Sequence, residues 1–149
     1  MGYTEAVQER HVPLAVLYPV NRGAGVYDTG YVSLAGYHRA WALVEIGAMA
    51  AGATFDVDME IATDDAGTDA YDLKETAQLT QAADGNDHLV LINLRSEEIT
   101  NPDGLGLDRD YVNLEVTIGV NAVYCSVVIF GTVPRYAPGS EALWDEIVD

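Results

Sequence analysis

The side chains of this 149-residue chain that could do chemistry are a dense run of carboxylates, three histidines, one cysteine and four serines. The run is ATFDVDMEIATDDAGTDAYD, residues 53–72, which carries Asp56, Asp58, Glu60, Asp64, Asp65, Asp69 and Asp72 and no cation. Carboxylates at this density could hold calcium, but an EF-hand loop needs acids at alternate positions, a Gly at the sixth and a carboxylate at the twelfth. A register begun at Asp64 puts Ala66, Thr68 and Asp69 at the third, fifth and sixth places, and one begun at Asp58 fails as well. Two readings are left: a looser surface cation site built from Asp64, Asp65 and Asp69, or the solvated face and tip of a β-hairpin, which is the one adopted.

The histidines, His11, His38 and His88, occur without HxxxH, HxH or CxxC spacing, so there is no zinc signature and each is expected as a polar residue near a strand end. Cys125 lies in the apolar run AVYCSVVIF with no cation beside it to lower its thiol pKa, and is expected as a small buried hydrophobe. Ser33, Ser96, Ser126 and Ser140 lie outside any GxSxG motif. NRGAGVYDTG contains GxG, but no strand precedes it and no helix follows, so it does not read as a phosphate cradle. Paired carboxylates are too plentiful for any two to mark a general acid and base. No catalytic, cofactor-binding or metal-binding residue is assigned, and neither enzyme activity nor a cofactor is expected.

The elements that position these groups follow from the period of the apolar residues. Phe55, Val57, Met59 and Ile61 alternate with Asp56, Asp58 and Glu60, the pattern of a strand with one buried face, and DDAGTD then supplies a turn. From Tyr31 onward the chain reads as short strands: YHRAWALVEIGA, GATFDVDMEIAT, KETAQLTQ, HLVLINLR, DYVNLEVTIG and AVYCSVVIFGT, with AADGND, TNPDGLGLD and GVN as turns and SEEIT as one helical turn. The expected fold is all-β: one antiparallel β-sandwich, jelly-roll-like, over residues 28–138, with Trp41, Leu43, Phe55, Val57, Leu91, Leu114, Val116, Val127 and Ile129 in its core. A chain of this length buries enough surface to need no staple, and one cysteine excludes an internal disulfide.

Twenty-four Asp and Glu against seven Lys and Arg give a formal net charge of −17. That field repels phosphate backbones and anionic lipid, so neither direct nucleic-acid binding nor membrane attachment is expected. MGYTEAVQERHVPLAV lacks the basic start and apolar core of a secretory signal, and no apolar run approaches the ~20 residues that span a bilayer, so a soluble protein is expected. Six of the seven cations are Arg. Arg39, Arg95, Arg109 and Arg135 are expected to brace strand ends by pairing with carboxylates, with inter-subunit bridges as the second role.

Two ends fall outside the sandwich in this reading. Residues 1–27, with Pro13, Pro19, Gly23 and Gly25, read as an extended arm. Its centre VPLAVLYPV is too apolar to float free and should lie along its own core or along a neighbouring subunit. The second is expected, with Val12, Leu14, Val16, Leu17 and Tyr18 as anchors. Residues 139–149 read as a short C-terminal helix with Ser140 as N-cap and Leu143, Trp144, Ile147 and Val148 on one side; Trp144 and Ile147 are the further partner contacts.

The segments GYVSLAGYHRAWALVEIGAMAAGATFDVDMEIATDDAGT, AQLTQ, VLINLRSEEI, YVNLEVTIG and FGTVPRYAP, in that order over residues 28–138, resemble a family of small structural proteins encoded among the head genes of tailed bacteriophages. The resemblance implies a virion component without enzymatic activity. It would be a capsid decoration (cement) protein on the capsid exterior, bound to the major capsid protein and to copies of itself, and found in the bacterial host cytoplasm before assembly. The alternative within the virion is a head–tail neck or tail component. A cement protein must be rigid, soluble before assembly and able to bind a lattice through several weak patches whose avidity sums. A carbohydrate-binding sandwich, from a different class, would instead stack sugars on Tyr27, Tyr31, Tyr37 or Tyr71 and hold calcium in the acidic loop.

Overall fold

A computed structural model describes residues 7–135 and Leu143. Wherever period-two alternation is sustained the chain forms strands: β1 His11–Arg22, β2 Gly25–Asp28, β3 Val32–Ser33, β4 Tyr37–Met49, β5 Thr54–Ala62, β6 Tyr71–Glu75, β7 Leu79–Thr80, β8 His88–Arg95, β9 Tyr111–Gly119 and β10 Val123–Pro134. The helices among the described residues are two single turns, α1 Val7–Arg10 and α2 Gln81–Asp84.

The strands form two antiparallel sheets. One has four strands in the order β1-β10-β4-β8; the other has six, in the order β2-β9-β5-β6 with β3 added on β9 and β7 on β5. With β2 and β3 taken as one interrupted strand and the two-residue β7 left aside, the long strands in chain order lie as 1-8-3-6 and 2-7-4-5. That is the strand order of a jelly roll. The expected all-β antiparallel sandwich, with its jelly-roll character, is therefore the fold.

The core lies between the sheets. Ala40, Ala42, Val44 and Ile46 of β4, Ile92 and Leu94 of β8, and Cys125, Val127 and Ile129 of β10 pack with Phe55, Val57 and Met59 of β5 and with Val112, Leu114, Val116 and Ile118 of β9. Burying a Val, Leu, Ile, Phe or Met side chain contributes roughly 1.5–3 kcal/mol. Cys125 is buried as expected, and burial pushes its thiol pKa up.

Three expected core residues lie on the other face. The buried phase of β4 is Ala40, Ala42, Val44 and Ile46, so Trp41 and Leu43 point away from the second sheet, and Leu91 on β8 is 64% exposed. The reason is charge: Trp41 and Leu43 share a parity with Arg39 and Glu45, and Leu91 with Arg95, so burying them would have buried charges as well.

The arm is corrected too. From His11 it is β1, an edge strand of the domain's own sheet, paired with β10 from His11↔Thr132 to Arg22↔Val123. The boundary set at residue 27 falls inside β2. Pro13 and Pro19 are compatible with this because β1 is an edge and its register shifts near both of them. KETAQLTQ divides into the end of β6, β7 and the start of α2, and SEEIT is a turn, with the Glu98 N–H donating to the Arg95 carbonyl at 3.0 Å. The expected helix over residues 139–149, including Trp144 and Ile147, lies outside the described residues, Leu143 apart.

Candidate interaction surfaces

The outer face of the six-stranded sheet is acidic because β5, β9 and β2 place their polar parity there in register. Asp28 pairs with Glu115, Glu115 with Asp58 and Asp58 with Glu75, while Glu60 pairs with Asp72. Burial, and then Glu60 and Asp28, hold the Glu115 carboxyl above the usual glutamate range; burial, Asp56 and Glu75 do the same for Asp58. At one corner the fully buried Asn113 donates from Nδ2 to Asp28 Oδ1 at 2.8 Å and to Glu60 Oε2 at 2.9 Å. The Tyr31 hydroxyl donates to Glu60 Oε2 at 2.6 Å, and the Thr29 hydroxyl donates to Asn113 Oδ1 at 3.0 Å. Burial together with Glu60 raises the Tyr31 phenol pKa.

Asp28, Glu60 and Glu115 present oxygens within 4.8 Å of one another, the donor type that suits a hard cation. Two of the three already accept hydrogen bonds from Asn113 and Tyr31, so the group is held as a polar network. Its centre went unnoticed in the sequence. The available signal was Asn113 in YVNLEVTIG, an amide in the same parity as Glu115.

The other proposed cation set does not assemble. Asp64 accepts through Oδ1 from the N–H groups of Thr68 at 2.9 Å and Ala66 at 3.0 Å; these bonds close the hairpin turn and hold its carboxyl below the usual aspartate range. Asp65 is exposed, and Asp69 sits at φ 53° with its carbonyl accepting from Arg109 Nε at 2.7 Å. Arg109 also reaches Asp103 at 2.7 Å and lies 5.5 Å over the Tyr71 ring, tying the loop before β9 to the hairpin tip. It is therefore a brace. Arg95 is only 3.6 Å from Glu97, and among the described residues the Arg39 and Arg135 side chains make no ion pair or hydrogen bond.

The outer face of the four-stranded sheet is of a different kind. Register sets Pro13, Phe130, Trp41 and Asn93 in one row and Val16, Val128, Leu43 and Leu91 in the next. Trp41 stacks on Phe130 at 4.5 Å and 16°, and His11 meets the Trp41 edge at 6.0 Å. Beyond these rows, His11, Thr132, Arg39 and Arg95 line one end. Around the corner from that end, a cleft of about 630 Å³ is lined by His38, Arg39, Arg135, Asp108, Asp110 and the apolar Leu34, Leu94 and Ile99, among others.

Of the expected partner contacts on β1, Val12 is buried and Leu14 and Leu17 pack on the domain's own core, so these three are corrected to core positions. Val16 lies on the outer face and Tyr18 is 68% exposed. The tyrosines considered for sugar stacking are separately engaged: Tyr27 under Arg22, Tyr31 with Glu60, Tyr37 over Gly131 and Tyr71 under Arg109. His38 lines the cleft, while His88 sits 3.3 Å from the Gly85 carbonyl at the start of β8.

No protein-family model and no curated protein matches the chain. Solved structures similar to it include the infectious bursal disease virus Gx strain, at 12% identity and TM-score 0.47 over 86% of this chain and 34% of that one. The Gt strain of the same virus matches at 10% identity and TM-score 0.48 over 87% and 33%. Its VP2 subviral particle matches at 11% and 0.44 over 86% and 33%. The chain spans about a third of the length of each of these.

Proposed function

We propose that this protein is a non-enzymatic structural component of a virion, a decoration protein that binds the major capsid protein on the capsid exterior and stabilises the shell by bridging neighbouring capsomers. The observation that carries the reading is the strand order. Jelly rolls recur in viral capsid domains, lectins and cupins. The four tyrosines considered for sugar stacking are each tied to a partner of their own, and the three histidines lie in three separate places, which favours the capsid class. This step is a fold-level analogy, and the phage-like segments of the sequence support it independently.

The test is to add purified protein to particles that lack it and to measure binding and thermal rupture. Uniform binding with a rupture temperature raised by several degrees is expected. Absence of both would remove the decoration reading, and binding confined to one vertex would favour the neck.

A further inference from the structure

We propose that the outer face of the four-stranded sheet is a self-association surface, on which a second copy of this chain packs face to face with its strands running antiparallel to those of the first. The inference goes beyond the virion reading and does not depend on it.

The face is apolar by parity. Trp41 and Phe130 stack in one row, Leu43 and Val128 pair in the next, and Leu89 and Leu91 on the edge strand β8 are 70% and 64% exposed. A soluble monomer rarely keeps a contiguous patch of this kind open to water. Four strands ~4.8 Å apart, carrying five rows ~6.8 Å apart, give a footprint on the order of 600 Å². Side-chain relief adds accessible area, which brings the face near the ~800 Å² per partner of a specific interface.

Charge selects the occupant and its orientation. Arg39 and Arg95 pair across β4 and β8 at one end of the face, while Glu45 and Asp87 lie at the other, Glu45 on β4 and Asp87 just before β8. Stacking two copies with strands parallel would bring four guanidinium groups together. A two-fold axis across the strands, midway between the Trp41 and Leu43 rows, instead sets Arg39 of each copy over Glu45 of the other, with Arg95 beside that pair and Asp87 one row beyond it, a self-complementary contact. Arg39 has no ion pair among the described residues to give up for this. The six-stranded sheet cannot serve the same purpose, because Asp28, Asp58, Glu75 and Glu115 would confront their own copies.

Sedimentation equilibrium of the full chain at micromolar concentration tests the proposal. A dimer is expected, and Leu91→Lys or Leu89→Lys should weaken it by about tenfold or more while the thermal melt stays unchanged, since both side chains are exposed. Arg39→Glu should also weaken it, and Arg39→Glu combined with Glu45→Arg should restore it. A monomeric wild type overturns the proposal, including the case in which Leu91→Lys reduces particle binding and the face serves a shell protein instead. A dimer that both leucine variants leave intact overturns it as well, and failure of the double charge reversal to restore what Arg39→Glu loses overturns the antiparallel arrangement.

Discussion

Asn113 shows how one buried amide can organise a face of like charges. Its Nδ2 serves Asp28 and Glu60 together, and its Oδ1 accepts from Thr29. Replacing it by Ala removes one hydrogen bond from each of Asp28, Glu60 and Thr29, so Asn113→Ala should destabilise the fold by about 1–3 kcal/mol in urea unfolding. Glu115 presents the opposite case. Its carboxyl pKa is raised by burial and by Glu60 and Asp28, so the folded chain holds that proton more tightly than the unfolded one. Stability therefore falls as pH rises from the ordinary glutamate value of ~4.3 through the raised one. Glu115→Gln should raise Tm at pH 7 by roughly 1–3 °C, and the gain should shrink as pH is lowered through that window. A gain independent of pH would assign the effect to packing. At this scale the sequence was partly legible: Cys125 could be placed from its apolar neighbours, and bracing was right for Arg109. The carboxylate an arginine meets depends on loops folded across the sheet ends, so Arg39 and Arg135 could not be told from Arg109 by composition.

The strands were legible because period two survives tertiary packing, yet which parity faces inward needed a second rule. In YHRAWALVEIGA the larger apolar residues, Trp41 and Leu43, outweigh Ala40 and Ala42, and a count of hydrophobic volume chooses the wrong side. The charges of Arg39 and Glu45 decide it, since leaving a Trp and a Leu partly exposed costs less than burying two unpaired charges. β1 failed for another reason: prolines and bulges disguised an edge strand as an arm, and an edge tolerates both. The distinction can be measured. Val12→Ala should cost about 1–3 kcal/mol because Val12 is 2% exposed, whereas Tyr18→Ser should change stability by no more than about 0.5 kcal/mol because Tyr18 is 68% exposed. Equal and negligible effects at both positions would restore the arm.

Across the whole molecule the two sheets divide the labour of their surfaces. One outer face concentrates Asp28, Asp56, Asp58, Glu60, Asp72, Glu75 and Glu115, and the other carries the apolar rows with Arg39 and Arg95 at one end. The sequence announced the net charge of −17 without its distribution, because a carboxylate's face depends on strand register. Pairing sets these acids side by side on adjacent strands, where like charges destabilise the sheet. Salt screens exposed charges over a distance that shrinks from ~14 Å at about 0.05 M to ~4 Å at about 0.5 M, so the repulsion within the acidic face should fade across that range. Sodium chloride should therefore raise Tm by a few degrees, with most of the gain lost in a variant carrying Asp58→Asn and Glu115→Gln together. Calcium chloride at equal ionic strength should give the same rise, because Asn113 and Tyr31 already hold one oxygen each of Asp28 and Glu60 in a polar network. A calcium-specific shift abolished by Glu60→Gln would overturn that reading and make the polar network a cation site.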